Sequence, residues 1–247
     1  MQKILTTLIA LLALASVQAQ ERKPQNKPYI DLRPLHFGIL VGTHLQDIEF
    51  ENVGPRMATL DDGTTQEQYV LCDADKWNPG FSVGVLADMR INNHLSFRVT
   101  PTMHFGAKHL RFRNLKEVDE RGYVTEKTQD LKNTYISIPF DIKFSAQRFN
   151  NYRPYMMAGI SPMINLTGSD TDYIRLKRSD LMFEVGLGCD LYLPFFKLIP
   201  ELKFCLGLSN VLDKKHAEQL QDESMRAYAN SVSKATTKMI VLTFYFE

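Results

Sequence analysis

The sequence predicts an all-β fold: an eight-stranded antiparallel up-and-down transmembrane β-barrel with four long extracellular loops and short periplasmic turns. Three observations carry that prediction. Eight segments alternate apolar and polar residues with a period of two, the pattern of a strand with two unlike faces. The connections between them alternate long and short, so the long loops share one end and both termini the other, as in a meander of even strand number. The polar face carries glycine and charges of both signs, which suits a crowded lumen better than a solvated surface.

Taken in order, residues 1–19 read as a secretory signal peptide cut before Gln20. A lone Lys3 precedes an apolar run that ends with small residues at Val17 and Ala19. Thr6, Thr7, Ser16 and Gln18 interrupt that run, short of the ~18 or more apolar residues expected of a membrane-spanning helix. No cysteine stands at the cut site, which argues against a lipid anchor. Residues 20–35, "QERKPQNKPYIDLRPL", hold three prolines and mixed charge and read as an extended, exposed periplasmic lead-in. Residues 36–247 are left for the barrel.

The eight alternating segments are 36–50, 80–90, 94–106, 135–145, 154–164, 180–193, 199–209 and 239–247. Their apolar faces are continuous: Phe37, Ile39, Val41 and Leu45 in the first, Leu95, Phe97, Val99, Met103 and Phe105 in the third, Ile240, Leu242, Phe244 and Phe246 in the last. Each covers roughly the nine to eleven residues that a tilted strand needs to cross a bilayer. The turn Asn92-Asn93-His94 is a three-residue hairpin loop, expected to hold one left-handed residue, and it sets Asp88 opposite Arg98. Pro101 and Pro162 lack ladder donors and are expected near strand ends or bulges.

Alternation alone does not decide which face is outside. A lipocalin-like soluble barrel would point its apolar face inward, and a secreted β-sandwich would expose a polar face on every strand. The glycines of the polar face (Gly42, Gly84, Gly106, Gly159, Gly186, Gly188 and Gly207) favour the membrane arrangement, as do the aromatics near the short turns, Phe144, Phe149, Tyr152, Phe195 and Phe196. The inward charges then define the candidate site. Asp88, Arg90, Arg98, Asp141, Lys143, Glu184, Asp190, Glu201 and Lys203 are expected to form a structural ion-pair network in the lumen. An eight-stranded barrel is just wide enough for side chains to fill, so a plug is expected rather than a conducting path.

Other function classes find little support. Net charge is +1 with a mildly basic isoelectric point, which makes no electrostatic case for nucleic acid. Cys72, Cys189 and Cys205 have no framework spacing, and Cys189 and Cys205 point to opposite faces of neighbouring strands, so no bridge between them is expected. His44 and His104 read as hydrogen-bonded lumen residues, and no Ser–His–Asp set converges by position. His104 and His109 lack a third ligand at metal spacing. The long loops 51–79 (acidic, with Trp77), 107–133 (basic and mixed) and the last, with a helix over Ala217–Ala229 and Leu220 and Tyr228 against the rim, are candidate docking surfaces or solvated loops.

Several blocks carry a family resemblance. The stretches "DLRPLHFGILVGTHLQDIEF", "YISIPFDIKF", "RPYMMAGISP" and "FEVGLGCDLYLPFFKLIPELKFCLGLSNVL" resemble the PorT family of outer-membrane barrels in Bacteroidetes, over most of the chain after the signal. The aromatic-rich end "VLTFYFE" is similar to terminal strands read by outer-membrane assembly machinery, though it closes on Glu247 rather than an aromatic. The resemblance implies a role in type IX protein secretion through partner interaction, with no catalytic residues, no cofactor and no metal. Its implied partners are the lipid bilayer and other secretion-system proteins, with both termini periplasmic. The alternative is a small outer-membrane enzyme or ligand-binding barrel.

Overall fold

A strand with one apolar and one polar face can hide its edges only by closing the sheet on itself. The computed structural model describes residues 25–59, 64–74, 76–118, 123–167, 173–214, 216 and 223–247. Within them the sheet closes. The principal strands are β1 (Leu35–Asn52), β5 (Asn78–Arg90), β6 (Leu95–Val99), β7 (Thr102–Val118), β8 (Val124–Ser137), β9 (Phe140–Ser145), β10 (Tyr152–Asn165), β11 (Ser179–Tyr192), β12 (Lys197–Gly207) and β13 (Val232–Phe246). The short strands β2 (Arg56–Thr59), β3 (Thr65–Gln68) and β4 (Val70–Ala74) lie in the first long connection. β6 with β7, and β8 with β9, each make one broken stave, so eight staves pair antiparallel in sequence order and β13 returns to β1. The all-β, eight-stranded, up-and-down barrel expected from the sequence is the fold observed.

The breaks fall at prolines. Pro101 parts β6 from β7 and Pro139 parts β9 from β8, while Pro162 stays inside β10. The three form a seam on adjacent staves, and each carbonyl accepts from the preceding stave: Val85 N to Pro101 at 3.0 Å, Thr100 N to Pro139 at 3.3 Å and Ile138 N to Pro162 at 3.0 Å. Expectation and structure agree at Pro101. The segment 135–145, read as continuous, is interrupted at Pro139, because a residue without N–H cannot carry the ladder through.

The hairpin between β5 and β6 has the expected register, with Asp88 opposite Arg98, but a different turn. Among the described residues, positive φ outside glycine occurs only at Lys27 and Asn150. The left-handed residue expected within Asn92–His94 is replaced by a side-chain cap: Asn92 Oδ1 accepts from the N–H groups of His94 and Leu95, both at 2.8 Å.

Facing is the second result. From Leu35 to Leu45 the residues of odd number in β1 point outward and all but Thr43 are apolar, Phe37 being 69% exposed on the isolated chain. Past Gln46 the faces exchange character. Asp47, Glu49 and Glu51 point outward opposite Lys238, Thr236 and Lys234, and Lys238 pairs with Glu49 at 2.6 Å. Inward, Ile48 joins a core with Val70, Cys72, Leu110, Phe112, Ile174 and Tyr228. The lower part of the barrel is therefore apolar outside and, around clusters that include Leu40, Met157, Ile199 and Met182, charged and polar inside, and the collar at the long-loop end is polar outside over an apolar core, as lipid and water respectively require.

That collar accounts for the long loops. Residues 107–133, read as a loop, are mostly the extended hairpin of β7 and β8, paired out to Val118 and Val124. The alternation continues there with inverted polarity, which hid it. Amide side chains pin the connections where ladders stop: Asn52 bonds both N–H and C=O of Cys72 at 2.8 and 3.1 Å, and Gln129 does the same for Ile174 at 3.2 and 3.1 Å. The helix α1 (Glu223–Ala229) places Tyr228 in this core, its ring edge-on to Phe112 at 5.8 Å. Burial pushes the Tyr228 hydroxyl up to about 12 and lifts the Cys72 thiol well above its ordinary range. Leu220 and the start of the helix expected over 217–229 lie outside the described residues, as does the proposed signal peptide.

The lead-in is packed, not free, from Gln25 onward. A 3-10 turn, Ile30–Leu32, folds it across the short-turn mouth. Asp31 is the hub: Tyr192 donates its hydroxyl to it at 2.6 Å, and Arg148 and Arg153 lie at 3.3 and 4.0 Å. Arg148, stacked over the Tyr192 ring at 3.5 Å, also donates to the carbonyls of Asn26 and Lys27. Prolines made this strap stiff, and the arginines of neighbouring turns hold it; composition alone did not show the second part. Asp31→Ala is expected to release the strap with the barrel intact. Chymotrypsin should then cut after Tyr29 or Leu32 roughly tenfold faster, equivalent to about 1.4 kcal/mol of lost local stability. Unchanged cleavage would refute the latch.

Candidate functional site

Inward residues of adjacent staves meet at fixed heights, and the register brings the chemistry together. Arg98 is the centre, with none of its surface exposed. Its Nε and Nη2 donate to Asp88 Oδ2 at 3.2 and 3.1 Å, and Nη1 donates to Glu201 Oε2 at 2.7 Å. Glu201 also accepts from the hydroxyls of Tyr155 at 2.5 Å and Tyr245 at 2.6 Å, whose rings lie 5.2 and 5.1 Å from the guanidinium carbon. Lys203 pairs with Glu184 at 3.2 Å. Lys143 donates to both oxygens of Asp190 at 2.8 and 2.9 Å. The aromatic faces and the pairing of these groups answer the cost of burying so much charge, while both oxygens of the neighbouring Asp141 are buried without a hydrogen-bond partner.

The sequence placed eight of its nine network residues at this depth. Asp88, Arg98, Asp141, Lys143, Glu184, Asp190, Glu201 and Lys203 are all buried. Arg90 instead reaches the mouth, where it donates to the Asp31 carbonyl at 2.9 Å. Lys197 belongs to the network and was assigned to a turn: it lies 3.6 Å from Asp190 and 2.8 Å from Glu247, which is also bonded to His36. β12 starts two residues earlier than its apolar pattern suggested, which puts Lys197 on the inward parity with Glu201 and Lys203. Tyr155 and Tyr245 were also missed, though both stand on the inward parity of their segments.

Glycine makes the room. A Cβ on Gly188 would lie 2.4 Å from Tyr155 Cζ, so the tyrosine can cross the lumen only over a bare backbone. Gly188→Val is expected to displace Tyr155 and cost about 1–3 kcal/mol by overpacking; urea unfolding in micelles measures it, and a wild-type midpoint would contradict this packing.

Nearer the long loops, a hydrogen-bonded chain crosses the lumen. His44 Nδ1 and Ser82 Oγ are 2.9 Å apart, Ser82 Oγ and His104 Nδ1 2.8 Å, and His104 Nε2 and Ser137 Oγ 3.0 Å. The sequence reading placed both histidines in the lumen but missed the serine between them. Among the described residues no carboxylate bonds either imidazole, and Ser82 is buried. Cys205 faces inward in contact with this region, while Cys189 faces out beside Pro154, the opposed facing expected for the pair. An internal cavity of about 10 Å³, lined largely by apolar side chains such as Met163, Met182 and Val241, and a polar one of about 30 Å³ at the short-turn mouth leave room for one or a few waters.

A closed ring of antiparallel staves, apolar outward over the height of a bilayer and filled with ion pairs, defines an integral membrane β-barrel. Residues 18–213 match the family model described as outer membrane protein beta-barrel domain, and the chain belongs to that family. It is an outer-membrane barrel protein. A search of curated proteins returns no match. Among solved structures it is similar to neisserial surface protein A (14% identity, TM-score 0.42, covering 86% of this chain and 98% of that one). It is also similar to OprG from Pseudomonas aeruginosa (11%, TM-score 0.44, 85% and 91%) and to Ail of Yersinia pestis, solved with the heparin analogue sucrose octasulfate (12%, TM-score 0.35, 85% and 96%). Family membership rests on the sequence match, not on these superpositions.

Proposed function

We propose that this barrel is a non-enzymatic accessory of protein export, PorT-like and serving type IX secretion, which acts by presenting surfaces to partner proteins and not as a pore. The observation that carries the second half is the filled lumen among the described residues: an ion-paired plug at Arg98, a strap over one mouth and an apolar core under the loops, with lumen cavities of about 10 and 30 Å³. In this reading the barrel acts through its rims. The export role itself rests on the sequence blocks that resemble the PorT family. In this reading both termini and the strap face the periplasm, and the collar faces outward from the cell.

Deletion of the gene, complemented in trans, tests it. Cargo proteins should accumulate in the periplasm and return to the surface on complementation. Normal secretion in the deletion strain, or lipid turnover by purified protein, would overturn the reading.

A further inference from the structure

The outer wall carries an open cleft at the short-turn end, about 570 Å³ in volume and formed by Asn92, Asn93, His94, Leu95 and Phe144. That is the size of a small-molecule site, roughly 300–1,000 Å³, and it lies outside the lumen. Its two halves differ in chemistry. Leu95 and Phe144 oppose each other on β6 and β9, and the same outward row continues up the wall through the pairs Phe97–Ile142 and Val99–Phe140. Phe140, Ile142 and Phe144 are exposed on the isolated chain, and Phe97 stacks on Phe140 with ring centres 6.3 Å apart. An apolar strip therefore runs from the cleft into the band that faces lipid.

The turn is the polar half, and it has donors to spare. Asn92 Oδ1 is occupied by the N–H groups of His94 and Leu95, which leaves its Nδ2. His94 Nδ1 donates to the Ser145 carbonyl at 2.9 Å, which leaves Nε2 to take up a proton and donate to an anion. Asn93 stands exposed at the tip, and its carbonyl accepts from Arg153, whose Nε donates to the Ala146 carbonyl at 2.8 Å. Arg153 lies 4.0 Å from Asp31, which Arg148 already holds at 3.3 Å. Two guanidinium groups thus share one carboxylate beside the cleft, and no acidic residue lines it.

We propose that this cleft binds one anionic phospholipid, with its phosphate over the Asn92–His94 turn and an acyl chain along Leu95, Phe144, Ile142 and Phe97. The membrane that surrounds an outer-membrane barrel supplies such a molecule at this height, with its headgroup level with the turns and its chains level with the strip. Free phosphate would use the donors and leave the apolar strip unmatched. A neutral hydrocarbon would do the reverse. The site rests on the barrel's embedding in lipid and is independent of any role in export.

Native mass spectrometry of the full-length barrel, released from micelles that contain palmitoyl-oleoyl phosphatidylglycerol, reads the site. Wild type is expected to retain one lipid. Asn93→Glu puts a negative charge at the tip and keeps every bond described above. It should lower retention roughly tenfold, or ~1.4 kcal/mol. Phe195→Glu, the same charge on the exposed turn between β11 and β12, should leave retention unchanged. Three results would overturn the site: no lipid held by wild type at saturating lipid, equal losses in the two variants, or dioleoylglycerol, which lacks the phosphate, held as well as the phospholipid. A photocrosslinking residue in place of Asn93 reads the occupant in intact outer membranes. Label on phospholipid supports the site, and capture of protein alone refutes it.

Discussion

Arg98→Met is expected to be the most damaging single change in the barrel wall, lowering stability by about 3–5 kcal/mol, the usual effect of removing one member of a buried ion pair. The reason lies in what remains. Asp88 and Glu201 lose their shared cation, and Glu201, wholly enclosed, keeps only the hydroxyls of Tyr155 and Tyr245. Lys203, 3.9 Å from Glu201, is already committed to Glu184. Heat modifiability on gels and urea unfolding in micelles both read the loss. Planar-bilayer recording adds a second arm: the variant should stay non-conducting, because methionine, the two tyrosines and Lys143 still fill the section. A wild-type midpoint would mean that the network is ornamental, and a large single-channel current in wild type would remove the plug altogether.

Val41→Arg should be nearly as costly for an unrelated reason. Val41 faces outward at mid-height of the apolar band on β1, and arginine at the bilayer midplane of a barrel costs about 2–4 kcal/mol, against roughly 0–1 near the interface. Thr236→Arg is the matched control. It also faces outward, but in the collar, opposite Glu49, where water and a counter-charge are at hand. Folding into liposomes should therefore separate the two variants by about 1–4 kcal/mol, roughly five- to several-hundredfold in the equilibrium constant at ~1.4 kcal/mol per factor of ten. Equal effects would mean that the boundary between lipid and water is not at Gln46.

Much of this architecture was legible in the residues. Period-two alternation named every stave, and Asp88 opposite Arg98 followed from one hairpin count. Eight of the nine residues expected to point into the lumen are buried there, because inward parity is a local property of a strand, whereas Asp141 is buried without the ion pair expected of it. What failed to read was non-local or inverted. Lys197 was lost because a strand boundary cannot be seen where Phe195 and Phe196 break the pattern. The β7–β8 extension was lost because its apolar residues, Leu110, Phe112 and Leu131, face inward, so the rule that worked below Gln46 gave the wrong side above it. The latch of Asp31 by Arg148 joins positions far apart in sequence, and nothing local announces such a pairing. Ser82 between two histidines is the same case.

The exchange of faces at Gln46 also fixes a length. Leu35 to Leu45 span eleven residues, which at a rise of about 3.3 Å and a tilt of about 40° correspond to roughly 25 Å along the membrane normal. That is thinner than the ~30 Å hydrocarbon layer of an average bilayer and close to that of a bacterial outer membrane. The chain thus carries its own sorting criterion: in long-acyl vesicles the surrounding lipid must compress or the barrel must self-associate, whereas short-acyl vesicles would accept it without distortion.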